Sequence, residues 1–176
     1  MHRRAYTLLE LMIVLVLLGF AAAVVVPNLR GSEPIRVQTA VRSLASDIMF
    51  AQSDALAYQQ RRAVVLDPAA NTYWIAEVST DTLDFDADAM YKVDGPGQRF
   101  LVSLDEISGG AAQLIEADFD GLEMIIFDEL GGPVADLTSD TPASGGSLVI
   151  GGDDGARFRL RVEPYTGRVT VEREGA

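Results

Sequence analysis

From Leu8 to Val26 the chain is almost unbroken apolar sequence, with Glu10 its one charged side chain. At about 1.5 Å per helical residue this run spans roughly 28 Å, close to the hydrocarbon thickness of a bilayer. It predicts a membrane-length helix closed by Pro27. After a short break at Gly31-Ser32-Glu33-Pro34, apolar or small residues recur at Val37, Val41, Leu44, Ile48, Ala51, Ala55 and Tyr58, spaced alternately by four and three. That stripe predicts an amphipathic helix over about 34–59, with Pro34 in its first turn and Arg36, Arg42, Asp47, Ser53 and Asp54 on its other faces. The period then shortens to two. Arg62 to Leu66 and Thr72 to Val78, joined by Asp67-Pro68-Ala69-Ala70-Asn71, read as a hairpin. Further strands are predicted at Phe100 to Leu104, Leu122 to Phe127 and Leu148 to Ile150. The final pair, Arg157 to Glu163 and Arg168 to Glu172, flanks Pro164-Tyr165-Thr166-Gly167. Phe158, Leu160 and Val162 would face one side there, and Arg157, Arg159 and Arg161 the other, as in a half-buried antiparallel strand. Helices followed by strands and turns make an α+β chain, with neither a fixed-period repeat nor a second folded domain visible.

Charge orients this arrangement. Arg3 and Arg4 precede the apolar run, so the positive-inside rule leaves the N-terminus cytoplasmic and carries everything after Pro27 across an inner membrane. Residues 28–176 hold 12 basic against 25 acidic side chains, a net −13. Such a body repels phosphate backbones and anionic headgroups, which argues against nucleic acid as a partner. Cysteine is absent and His2 is the only histidine, which removes thiolate and imidazole chemistry and their metal sites. No catalytic constellation and no cofactor follow. Glu77 to Asp154 contains 18 acids with only Lys92 and Arg99 as bases, and Asp81, Asp84, Asp86 and Asp88 invite a calcium reading. The stretch lacks the Gly and the closing Glu of an EF-hand loop, Gly95 standing where that Glu belongs. It reads as solvated surface, and no metal ligands are assigned.

A carboxylate at the centre of a membrane helix costs about 2.5–3.5 kcal/mol on insertion scales and less near the interface, so Glu10 calls for a task. One alternative is a secretory signal cut after Ala21-Ala22-Ala23. Against it, the apolar run continues through Val24, Val25 and Val26 and carries the acid.

The segment Ala5-Tyr6-Thr7-Leu8-Leu9-Glu10-Leu11-Met12-Ile13-Val14 resembles the class III signal of type IV pilins and type II secretion pseudopilins, with Ala5 for the usual Gly and Tyr6 for the usual Phe. That resemblance implies cleavage by a prepilin peptidase between Ala5 and Tyr6 and methylation of the new N-terminus at Tyr6. It also makes Glu10 the assembly glutamate, whose carboxylate meets the N-terminal amine of a neighbouring subunit, a pairing that offsets desolvation. Ile126-Phe127-Asp128-Glu129-Leu130-Gly131-Gly132-Pro133 and Val162-Glu163-Pro164-Tyr165-Thr166-Gly167-Arg168-Val169 resemble the GspH/FimT group of minor pseudopilins. Membership implies a pilin-like fold, a long N-terminal helix packed on two small antiparallel sheets. Residues from about Ser79 to Glu123 carry no part of this likeness.

The expected organisation is a leader at 1–5, a transmembrane and assembly helix at 6–27, and a periplasmic domain at 28–176. The leading function is a structural minor pseudopilin of a type II secretion system, anchored once in the inner membrane and joining the periplasmic pseudopilus. Its implied partners are other pseudopilins or pilins, the prepilin peptidase and an inner-membrane assembly platform. One alternative is a FimT-like minor pilin of a type IV pilus, serving pilus assembly or DNA uptake, the latter through Arg157, Arg159, Arg161, Arg168 and Arg173. Another is an exported binding domain or enzyme on an ordinary anchor.

Overall fold

The computed structural model describes residues 8–30, 33–153 and 155–174. The chain divides into two compact units, Met1–Glu33 and Pro34–Ala176. The first contains one helix, α1 (Leu8–Arg30). Its backbone runs three residues past Pro27, where the sequence predicted an end; a proline costs the helix one backbone donor without forcing a stop. Side chains are described along α1 only as far as Ala21. Among the described residues no helix is long and apolar enough to cross a membrane, so the span expected at 6–27 rests on the amino-acid sequence.

The second unit is built on α2 (Glu33–Tyr58). After it come β1 (Arg62–Asp67), β2 (Thr72–Glu77), the short helix α3 (Phe85–Asp88), a 3-10 turn at Pro96–Gln98, β3 (Leu101–Ser103), α4 (Leu104–Ser108) and β4 (Gln113–Phe119). The chain continues through β5 (Met124–Phe127), β6 (Pro133–Val134), β7 (Gly146–Gly151), β8 (Arg157–Val162) and β9 (Val169–Glu174). These strands form a five-stranded sheet in the order β3-β2-β1-β5-β6 and a four-stranded sheet in the order β4-β7-β8-β9. Every pairing is antiparallel.

The stripe on α2 explains why the domain closes. Val37, Val41, Leu44 and Ile48 are buried, and Ala40, Ala45, Ala51 and Ala55 fill the gaps with side chains small enough to let both sheets approach. One continuous core joins them to Leu66, Tyr73, Ile75 and Phe127 of the first sheet and to Leu148, Ile150, Leu160 and Val162 of the second. Tyr58, assigned to the stripe by spacing, is 68% exposed because it is the last residue of the helix. Two acids assigned to other faces are also not free. Asp54 pairs with the buried Arg62 at 2.6 Å, and Asp47 accepts a 2.5 Å hydrogen bond from the Tyr73 hydroxyl.

The segment without sequence signal is organised by Asn71, which sits in the β1–β2 turn with φ of 55°. Its side-chain N–H donates to Asp105 at 2.7 Å and to the Ala112 carbonyl at 2.9 Å, and its Oδ1 accepts from the Leu114 N–H at 2.9 Å. A single side chain thereby docks α4 and the start of β4.

Candidate assembly surfaces

Of the predicted N-terminal site, Ala5 and Tyr6 lie outside the described residues. Glu10 is in the first turn of α1 and is exposed, as is every other described side chain from Leu8 to Ala21. A continuous apolar helix surface of this kind is stable only when something apolar covers it, either lipid or other helices.

In the second unit the two motifs at Ile126–Pro133 and Val162–Val169 come from different sheets, and α2 brings them together. The Gln52 side-chain amide donates to the Gly131 carbonyl and to the Thr166 carbonyl, each at 2.8 Å. Gly167 has φ of +63°, and a Cβ there would stand 2.5 Å from Gln52 Nε2 and 3.0 Å from the Phe127 ring. The glycine of the Thr-Gly turn thus answers to two demands, a left-handed backbone and the close approach of α2. Asp128 shapes the other turn by accepting from the N–H groups of Leu130 and Gly132 at 3.0 and 2.7 Å. No sequence signal marked Gln52, which lies beside the apolar stripe as an ordinary polar flank.

The outward face of the four-stranded sheet holds Arg157, Arg159 and Arg161 on β8, as the alternation required. Cross-strand register places Glu174, Glu172 and Thr170 opposite them on β9. On the far side of β7 stand Glu116 and Asp118 of β4. Arg159 donates to Glu174 at 2.5 Å and to the Ser147 hydroxyl at 2.8 Å. A phosphate chain would meet three arginines bracketed by four carboxylates, which is poor ground for counterion release.

The acids of the middle segment are engaged in local turns. Asp84 caps α3 by accepting from the Asp86 and Ala87 N–H groups at 2.8 and 3.1 Å. Asp88 accepts from the Asp84 N–H, and Asp86 pairs with Arg99 at 2.7 Å. Arg61 gathers Glu129 and Asp140. Among the described residues no group of three or more His, Cys, Asp or Glu side chains could hold a metal ion. Burial pushes the Asp47 carboxyl above its ordinary pKa, with the Tyr73 hydrogen bond and the Lys92 charge opposing. Burial, reinforced by the Asp47 charge, drives the Tyr73 hydroxyl far upward as well. The pair fixes α2 against β2.

Comparison with known families decides what carries these surfaces. Residues 1–26 match the prokaryotic N-terminal methylation motif, and residues 40–167 match the type II transport protein GspH model. The chain belongs to the GspH family. The matched region of this GspH domain begins inside α2 and ends at Gly167, so it takes in both turns held by Gln52. Its fold is that of the minor pseudopilin EpsH from the type 2 secretion system of Vibrio cholerae, with a TM-score of 0.53 at 12% identity over 80% of this chain and 99% of that one. The type IV minor pilin FimU of Pseudomonas aeruginosa is similar too, with a TM-score of 0.51 at 14% identity over 80% and 91% of the two chains. No curated protein matches the sequence.

Proposed function

We propose that this GspH-family chain is a minor pseudopilin of a type II secretion system, a structural subunit and not a catalyst. The observation that carries the reading is the joint presence of an N-terminal methylation motif and a GspH domain in one chain. In this reading a prepilin peptidase cuts between Ala5 and Tyr6 and methylates Tyr6. The apolar helix then holds the subunit in the inner membrane, with the domain from residue 28 onward in the periplasm. An assembly platform draws the helix into the pseudopilus, where Glu10 pairs with the N-terminal amine of a neighbour. The likeness to FimU keeps a type IV pilus as the competing filament, but the bracketed arginines of β8 give no support to DNA uptake as its purpose.

Glu10→Ala tests the reading. It removes the insertion cost of the acid, so anchoring and folding of the distal domain are expected to persist while registration against neighbouring helices is lost. Co-purification with the other pseudopilins and secretion of the system's substrates are expected to fall at least tenfold at matched membrane levels. Normal assembly and secretion by the variant would overturn the role given to Glu10.

A further inference from the structure

The core of the GspH domain is left open along one side. Side chains that face each other across β8 and β9 lie on the same side of the sheet, and the register sets Leu160 opposite Val171 and Phe158 opposite Arg173. Leu160 is fully buried, so Val171 and Arg173 also point inward, toward α2. Among the described residues nothing covers them. Val171 is 47% exposed on the inner face of its sheet, and Met49 on the facing flank of α2 is 49% exposed. Between them lies an open groove of about 580 Å³, with Val41, Ala45, Met49, Phe158 and Val171 as its apolar floor.

The rim of this groove is basic, against the acidic net charge of the domain. Arg42 and Arg173 stand on its two sides, and among the described residues no carboxylate lines it. Among the described residues neither arginine has an ion-pair partner. Two acids of α2 are engaged elsewhere, Asp47 by Tyr73 and Asp54 by Arg62. In a body of net −13, these two arginines set positive charge on either side of an unfinished apolar layer. Among the described residues β9 pairs in its sheet with β8 alone, so an extended backbone could also dock along its other edge.

We propose that this groove seats a segment of a neighbouring pilin-like subunit that carries apolar side chains flanked by carboxylates, completing the core between α2 and β9. The proposal rests on the assembly reading above and names the surface through which the periplasmic domain takes part in it. A second copy of this chain fits less well, because its like-charged body would be brought against the first at close range. A nucleic acid would find two cations above a greasy floor, without the run of basic side chains that phosphate tracking needs.

The absence of cysteine makes the test clean, since one introduced thiol is the only thiol. Full-length Val171→Cys and, separately, Ala45→Cys are labelled in membranes with a thiol-directed benzophenone. Each is co-expressed with the tagged pilin-like subunits of the same host system, one at a time. The expected result is a light-dependent adduct with one such subunit, mapped by peptide sequencing to an Asp- or Glu-containing apolar segment. Adding Arg42→Glu with Arg173→Glu is expected to lower adduct yield at least tenfold, and Met49→Gln in the Val41-lined floor to lower it by a smaller factor. Arg157→Glu with Arg161→Glu, on the opposite face of the sheet, is expected to leave it unchanged. All these positions except Ala45 are at least part-exposed, and an unchanged unfolding midpoint checks that each variant is folded. Adducts only with a second copy, with lipid or with DNA would overturn the proposal. Normal co-purification without any adduct from the groove would overturn it while sparing the pseudopilin reading, whereas failure of the unmodified chain to co-purify with any pilin-like subunit would overturn both.

Discussion

Gln52 illustrates how one side chain can matter more to this fold than its sequence position suggests. Its side-chain amide ties α2 to both motif turns, donating to Gly131 and Thr166, and truncating it leaves two carbonyls without their donor. Gln52→Ala is expected to cost about 1–2 kcal/mol, a fall of roughly 3–8 °C in thermal midpoint for a domain of this size. Gly167→Ala is expected to cost at least as much, because the new methyl meets Gln52 and the Phe127 ring in a left-handed backbone. Calorimetry on the two single variants and the double tests whether they act on one junction, in which case their losses add incompletely. Asp47 makes a prediction of opposite sign. Its folded-state pKa is raised above the ordinary 3.8, so the folded protein binds this proton more readily than the unfolded chain does. Its ionised form therefore weighs against the fold at neutral pH, and that penalty lifts as pH falls through the raised value toward 3.8. Asp47→Asn keeps an acceptor for Tyr73 and is expected to hold or raise stability at pH 7 while flattening the pH dependence above 3.8. Denaturant titrations from pH 4 to 7 measure this, and a clear loss of stability at pH 7 would show that the charge itself is favourable.

At the level of elements, α2 is the part on which both sheets depend, and its C-terminal end is tied to β1 through a buried ion pair. Arg62 is 3% exposed and meets Asp54 at 2.6 Å, with further bonds to Gln60 and the Arg61 carbonyl. Arg62→Met removes the cation and strands a poorly solvated carboxylate, for an expected loss of about 3–5 kcal/mol. Adding Asp54→Asn is expected to recover most of that loss, and a chemical-denaturation cycle over the two sites reads the coupling. The helix itself was legible because its apolar spacing follows the helical period over six turns. The terminal hairpin was legible because Phe158, Leu160 and Val162 alternate with arginines. β4, by contrast, reads Gln-Leu-Ile-Glu-Ala-Asp-Phe, with a register shift between Leu114 and Glu116 that breaks its alternation. β6 is only two residues long and begins at a proline. Neither element announces itself locally, since their positions are set by Asn71 and by the turn around Asp128. The partners of Asp47 and Asp54 were hidden for a similar reason, as spacing on a helix says which face a residue takes but not which distant side chain waits there.

For the whole molecule, the division of labour between its two units matches the two family models that cover it. The apolar stretch carries the methylation motif, and the α+β body carries the GspH domain. The N-terminal pattern was readable because an acid inside an apolar run is costly enough to need a reason. The groove between α2 and β9 was not readable, because it arises from where β9 overhangs the helix and not from any local pattern. In the proposed function, the two units are united by maturation of the N-terminus. The most direct measurement is therefore intact-mass and peptide sequencing of the N-terminus of the chain recovered from membranes of a host that contains prepilin peptidase. The account predicts a mature chain that begins with N-methylated Tyr6 and retains Glu10 and the whole apolar run. A soluble chain cut after Ala23, without Glu10, would contradict it.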